Sequence, residues 1–586
     1  MNSMNNEKKQ FIFQDLLNHD IRIPSYQRAY SWGEKQIDDF CNDLNEVSGN
    51  YYYGHFIIEN NNGVYEIIDG QQRITTFVLF VMSAQLYLRY TVDDSLKNFI
   101  QNNFETIDYD QERFKELINN LFKKNELILI NKDDTSSFKR IVKTFEYFRK
   151  CFSKLDISKI DSLITSLRNS HISFHIAKNK EIAVQIFELQ NSRGIKLDII
   201  EKVKSKLMKE VYVNSNGNNY DEKIKTIQQH FTNIYRLEEK TKENSFRGDL
   251  KLENILFHHL RVIDDGEKTE IKELHYPSYG NIEINLLEYI SDKIKVKPTK
   301  EGKIEYILKL SELFQKSVTI ICNTLKEKDK LNSLIGDSII LDRNISIEMF
   351  LILSHSNKLD ELDLKKWELF LYTRDFHGVY YNLSSRDNFQ WMFSRVLKNS
   401  EKINEILDDF IKLGFRRDKL NDDLQGTFKS YIIENKQRIL TNAFGFWKEK
   451  MTYLLYKYEI SIDETIREDL RILFKKAKSL EHIVPQSWSK EWLNENNKND
   501  EIFIRDLNNK LNGIGNLLLL SLSENSSESN SHPKDKEYEI CNKGSYKEHY
   551  ENRKTFDSNL EKWIINIDIR GNKIYDFLEN YFSLNS

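Results

Sequence analysis

Between Phe11 and Tyr90, apolar residues cluster in two short runs, Tyr52 to Ile58 and Val64 to Ile68, separated by Asn60-Asn61-Asn62-Gly63. Two such runs flanking Asn and Gly predict a β-hairpin. The period then changes: Ile74, Phe77, Val78, Val81, Ala84 and Leu88 recur at helical spacing, so Asp69-Gly70 reads as a strand-to-helix turn lying at a helix N-terminus. A further apolar segment, Ile182 to Leu189, runs into Asn191-Ser192-Arg193-Gly194, where glycine permits a tight turn before another helix. From Glu201 to Gln437 the pattern is long, charged and helical, with apolar positions such as Ile255, Leu256, Leu260, Met349, Leu351 and Leu353; its charge runs read as solvated helix faces. Nearer the C-terminus a helical pattern (Phe444, Met451, Leu455, Tyr458) precedes a strand ending in Glu481-His482, and Gly515-Asn516 opens a second strand, Leu517 to Leu520. Val213 to Asn219, Asn494 to Asp500 and Glu524 to Asn530 read as exposed polar loops.

A chain of 586 residues exceeds one hydrophobic core, and at about 100–200 residues per domain it predicts roughly three to four units. Only 5 prolines and 20 glycines interrupt it, which favours helix. The predicted class is therefore α+β and predominantly helical, with a small N-terminal α/β region. A net charge of -4 gives no general attraction for nucleic acid, so any DNA contact rests on local patches. Cys41, Cys151, Cys322 and Cys541 form no C-x-x-C pair, which argues against a zinc ribbon or disulfide framework and fits a reducing cytoplasm. No apolar run approaches the roughly 18 to 20 residues that span a bilayer, and no apolar signal segment opens the chain. The expectation is a cytoplasmic protein without a membrane partner.

Candidate chemistry near the C-terminus lies in Glu481-His482-Ile483-Val484-Pro485, followed by Asn516 and, nine positions later, Asn525. An isolated Glu-His pair is ordinarily a surface feature; this ordered set points elsewhere. A neutral imidazole, with an ordinary pKa near ~6.5, can deprotonate water at neutral pH, which suits His482 as a general base. Carboxylate and amide oxygens suit a hard divalent ion that offsets charge on a phosphate, so Glu481 and Asn525 are candidate ligands of Mg²⁺ or Mn²⁺. Asn530 and His532 lie on the same following segment and compete with Asn525 for that role. The whole arrangement resembles the HNH (His-Me finger, ββα-metal) nucleases, in particular the C-terminal domain of the GmrSD type IV restriction family. The resemblance implies that Asn516 hydrogen-bonds the finger's backbone and orients His482.

The N-terminal region carries Ile23-Pro24-Ser25-Tyr26-Gln27-Arg28-Ala29-Tyr30-Ser31-Trp32 and Ile67-Ile68-Asp69-Gly70-Gln71-Gln72-Arg73. A glycine turn at a helix N-terminus presents backbone N–H groups to a phosphate, and Arg28 and Arg73 can add charge-assisted hydrogen bonds. The plainer alternative is a simple turn with Arg73 as a surface cation. Pro24, Tyr26, Tyr30 and Trp32 suit packing on a nucleotide or base and equally suit a core edge. No G-x-x-x-x-G-K-[ST] is present, so this is not a P-loop enzyme. Both stretches resemble the ParB-like N-terminal domain of the GmrSD family and of the phosphorothioate-sensing restriction factor SspE, with its DGQQR motif. Asn191 to Gly194 resembles a third motif of that domain. By this resemblance Gln27, Arg28, Asp69, Gly70, Gln71, Gln72, Arg73, Asn191 and Arg193 bind a nucleoside triphosphate, and Asp69 takes part in its hydrolysis.

These readings divide the chain into a ParB-like nucleotide-binding and DNA-sensing domain (1–205), a helical connector (206–435) and an HNH endonuclease domain (436–586). The implied function is modification-dependent DNA restriction in anti-phage defence, the mark being glucosylated hydroxymethylcytosine or phosphorothioate. The alternatives are an abortive-infection nuclease acting on RNA or host DNA, and a nucleotide-switched binding module with an inactive HNH site. Homo-oligomerisation is compatible with all three.

Overall fold

A computed structural model describes residues 11–46, 52–131, 133–153, 155–177, 199–215, 220–242, 251–263, 282–326, 344–357, 359–369, 403–405, 407–408, 432–447, 451–475, 478–528 and 530–581. The protein is mostly helical with a small mixed sheet, an α+β fold. Its chain divides into two compact units, one of residues 1–244, 252–257 and 264–322, the other of 245–251, 258–263 and 323–586. The division falls inside the 206–435 stretch, whose first helices belong to the N-terminal unit.

The first unit is built around six strands: β1 (Phe11–Ile12), β2 (Asp20–Arg22), β3 (Tyr52–Asn61), β4 (Val64–Asp69), β5 (Phe104–Glu105) and β6 (His171–Ala177). Their spatial order is β1-β6-β3-β4-β2-β5. The predicted hairpin is β3–β4, and its two-residue turn, Asn62-Gly63, holds φ of 54° and 94°. Asn and Gly are the residues that tolerate two consecutive left-handed positions, and such a turn matches the natural twist of the strands. The helix Gln71–Leu88 follows directly and is buried continuously from Ile74 to Ala84. Its apolar residues run round the whole helix, which therefore suits a central element rather than a surface one. Phe13, Phe56, Phe77, Phe80, Phe114 and Phe138 fill the surrounding core.

The helices Ile199–Asn214 and Tyr220–Lys242 pack on this core through buried charge. Lys204 donates to the Tyr26 carbonyl (2.8 Å) and pairs with Glu201, while Arg140 grips Glu239 with two bonds of 3.1 and 3.0 Å. Buried ions persist only when paired in this way. Val213, expected in a loop, lies in the helix, which runs on to Asn214; residues 216–219, and the Ile182 to Gly194 segment with Asn191 and Arg193, lie outside the described residues.

The second unit carries a two-stranded antiparallel sheet, β7 (Lys478–His482) and β8 (Leu517–Ser521), and then the helix Leu522–Glu528. That helix takes up Glu524 to Glu528 of the exposed loop expected from Glu524 to Asn530, and Asn530 itself lies in an exposed turn. Its start is fixed by a local bond and a longer-range one that periodicity cannot reveal: Ser521 Oγ accepts the Glu524 N–H (3.2 Å), and the buried Glu524 carboxylate accepts from Glu539 N (2.7 Å). The Asn494 to Asp500 stretch is a turn as expected, and Asp500 caps the helix Glu501–Lys510. Among the described residues all four cysteines are free, and no helix is long and apolar enough to cross a membrane.

Burial in this unit makes a pH prediction. His259 and His549 are buried, and burial, helped by His355 beside the first and by Arg553, Lys536 and Arg570 beside the second, pushes both imidazoles down to about 3 from the ordinary 6.5. Because the folded pKa is depressed, the unfolded chain takes up protons first, and stability present above 6.5 is lost as pH falls. Between 6.5 and pH 5 each histidine withdraws about 2 kcal/mol. Denaturant midpoints measured from pH 7 to 5 should fall accordingly, and His549→Leu should flatten the slope. A midpoint independent of pH, or an unchanged slope in the variant, contradicts this assignment.

Candidate functional site

At the end of β7, sequence-adjacent residues meet different surroundings, as strand alternation requires. His482 is half-buried, its ring edge-to-face with Phe444 (4.8 Å) and its Nε2 3.3 Å from the Gln486 amide, which itself donates to Asn512 Oδ1 (2.7 Å). Burial lowers the imidazole to about 4, against the raising effect of the Asn512 contact, so the ring is neutral at pH 7. A neutral ring is the form that accepts a proton.

The loop after His482 is clamped by Asn516, which has no exposed surface. Asn516 Oδ1 accepts the Val484 N–H (2.8 Å), its Nδ2 donates to the carbonyls of Val484 (2.9 Å) and Leu511 (2.8 Å), and its own carbonyl accepts Ile483 N–H (2.8 Å). The Asn516 side chain hydrogen-bonds backbone groups only. Gly515 is needed beside it because a Cβ there would lie 2.1 Å from the Ile567 carbonyl oxygen. From that neighbouring helix, Leu560–Tyr581, buried Arg570 collects the carbonyls of Gly515 (3.1 Å) and Leu517 (2.7 Å) and pairs with Glu459 (3.3 Å).

Glu481 is 2% exposed, and its carboxylate is bound by the ammonium of fully buried Lys536, which also donates to the His482 carbonyl (2.7 Å). Asn525 donates its amide to Ser479 Oγ (2.5 Å) and the Leu480 carbonyl (3.0 Å), so it sits against β7. Asn530 is exposed, and His532 is buried against Trp492 (4.9 Å), accepting Lys534 N–H (3.2 Å). Among the described residues no three His, Cys, Asp or Glu side chains are grouped to hold a metal. The donor chemistry of Glu481 and Asn525 suits a hard cation, but this arrangement does not: the carboxylate is already neutralised by an ammonium that would repel a second cation.

In the N-terminal unit, Asp69 ends β4 with its Oδ2 2.6 Å from His55 Nε2 and 3.5 Å from Arg73. Burial pushes its carboxyl up, but the His55 hydrogen bond, the Arg73 charge and the Gly70 N–H outweigh that and hold it below the usual range. Gly70 adopts φ 101°, and a Cβ there would fall 2.3 Å from Phe56; both facts exclude a side chain. Arg73 lies 5.3 Å over the Phe56 ring and donates to the His55 carbonyl (2.5 Å), so it also braces the hairpin. Gln72 bridges Ser31 N (2.9 Å) and the Ala29 carbonyl (3.1 Å), and buried Gln27 donates to the Ile68 carbonyl (3.1 Å). These bonds join the two polar stretches. No side chain caps the helix at Gly70, and the buried Oε1 of Gln71 has no hydrogen-bond partner. Arg28 is half-buried; Pro24, Tyr26 and Tyr30 are buried, and Trp32 packs against the core.

Sequence reading passed over His55, Gln486, Asn512, Lys536 and Arg570. Only Gln486 had a local signal, four residues after His482 in the same polar turn.

A neutral imidazole thus ends the first strand of a two-stranded sheet, the loop behind it is held by a buried asparagine, and a helix follows the second strand. In the family comparison, residues 9–208 match the GmrSD restriction endonuclease N-terminal domain and residues 421–567 the GmrSD restriction endonuclease C-terminal domain. The chain belongs to the GmrSD restriction endonuclease family, which makes it a type IV restriction nuclease acting on DNA. A comparison with curated proteins gives no match.

Proposed function

We propose that this chain is a modification-dependent DNA endonuclease of anti-phage defence, with an HNH site on β7 and β8 regulated by nucleoside triphosphate bound in a ParB-like N-terminal domain. The observation that carries the reading is Asn516 holding the loop behind His482 by three bonds and tying it to the Leu511 carbonyl by a fourth, within a β–β–α sequence of elements. His482 then takes a proton from water as the water oxygen bonds phosphorus, and the O3′–P bond breaks with O3′ leaving on its electron pair and taking a proton from solvent. Mg²⁺ or Mn²⁺ belongs to this reading through Glu481 and Asn525 only if Lys536 gives up the carboxylate it now neutralises, and would then supply charge stabilisation at the phosphate; no step here is routed through it. In the N-terminal unit the uncapped helix end, the buried unpartnered Gln71 oxygen and nearby Arg28 and Arg73 support a triphosphate site. Asp69, ionised and held by His55, would orient the hydrolytic water, and Asn191 and Arg193 complete the set by family resemblance.

The test is digestion of matched unmodified, phosphorothioated and glucosyl-hydroxymethylcytosine DNA, each with and without ATP, GTP, CTP or UTP, in Mg²⁺ and in Mn²⁺. One modified substrate should be cut, with a nucleotide dependence, and the others spared. Equal cutting of unmodified host DNA, or cleavage of RNA in its place, would turn the reading to an abortive-infection nuclease. Inertness toward every substrate favours a binding module.

A further inference from the structure

Lys536 is wholly buried, yet its ammonium ends on two oxygens, the Glu481 carboxylate and the His482 carbonyl. It reaches there from a short turn, Pro533–Asp535, whose backbone is fixed twice. His532 Nδ1 accepts the Lys534 N–H (3.2 Å), and Arg553 Nε donates to the Lys534 carbonyl (2.7 Å). The ammonium is thus delivered by a built segment 55 residues from its partner.

We propose that Lys536 is a positioning residue that holds the cation place beside Glu481 while no metal is bound, and that a divalent ion takes Glu481 only by displacing it. The inference rests on Glu481 being a metal ligand, as read under the proposed function. Two physical facts support it. A carboxylate with almost no exposed surface persists only with a counter-charge, and here Lys536 is that charge. A divalent ion at the same carboxylate would stand within a few Å of the ammonium, a repulsion that little solvent screens. Until the metal arrives, the bond from Lys536 to the His482 carbonyl also keeps the end of β7 in place.

The test uses the full-length chain without DNA, with free Mn²⁺ followed by electron paramagnetic resonance, for wild type, Lys536→Met, Lys536→Gln and Glu481→Gln. Both Lys536 variants should bind Mn²⁺ on the order of tenfold more tightly, and Glu481→Gln more weakly by a similar factor. Unchanged affinity in the Lys536 variants, with loss in Glu481→Gln, overturns the proposal and leaves the metal reading standing. Unchanged affinity in Glu481→Gln overturns the metal reading itself. Should the Lys536 variants fail to fold, amine acylation of wild type read by peptide mass spectrometry decides. Lys536 should be protected without Mn²⁺ and labelled at saturating Mn²⁺; protection that persists at saturation refutes displacement.

Discussion

Replacing His482 by alanine should reduce DNA cleavage by ~10²–10⁴, the usual cost of removing a general base, with thermal stability and nucleotide binding close to wild type. Stability is expected to hold because the imidazole contributes few bonds, whereas the register of β7 is set by its ladder to β8 and by the Asn516 clamp. Asn516→Ala makes the useful contrast. It strands the buried Val484 N–H and carbonyl and the Leu511 carbonyl, at about 1–3 kcal/mol for each unsatisfied group. That variant should therefore lose both stability and cutting, while His482→Ala loses cutting alone. Rates and denaturation midpoints of the two purified variants provide the check. Near-normal cutting by His482→Ala removes the residue from the mechanism.

The second large effect concerns the N-terminal unit. Asp69→Ala and Arg73→Ala should abolish nucleoside triphosphate hydrolysis and change DNA cleavage, although neither residue belongs to the β7–β8 site. Asp69 is the anion that His55 and Arg73 share, so its loss leaves two cationic or donor groups unopposed at the helix start. Arg73 also braces β3 through the His55 carbonyl and Phe56, so a lower melting temperature should accompany its loss. Arg73→Lys separates charge from brace, since lysine cannot reproduce the guanidinium's flat contact with the ring. If nucleotide and DNA are coupled, the coupling is reciprocal: DNA bearing the correct mark should shift nucleotide affinity by ~5–150-fold. Hydrolysis, nucleotide affinity with and without modified DNA, and cleavage by the variants measure it. Hydrolysis-dead variants that cut every substrate as wild type does, with nucleotide affinity indifferent to DNA, would mean that the two activities are independent.

The sequence by itself determined those features whose physics is short in range. The Asn62-Gly63 turn, the change of period at Asp69-Gly70 and the two strands meeting at Glu481-His482 and Asn516 are all local choices, and each stands where the pattern put it. The order Glu481, His482, Asn516, Asn525 was also legible, because residue type and spacing carried the family resemblance. Tertiary structure alone decided which polar groups meet. His55 meets Asp69 because β3 and β4 pair with a register shift between Ile57 and Ile58 that sets Ile57 opposite Asp69, and Arg570 reaches the start of β8 because Gly515 lets a distant helix approach. The polar stretch after Ser521 became a helix because Glu524 found Glu539 across a closed fold. Lys536 is the sharpest case: in the sequence it is one lysine in a charged run, and only burial against Glu481 forces the pairing. Periodicity reports which face of an element is apolar; the partner of a buried charge depends on which elements close over it, and that is fixed only when the chain has folded.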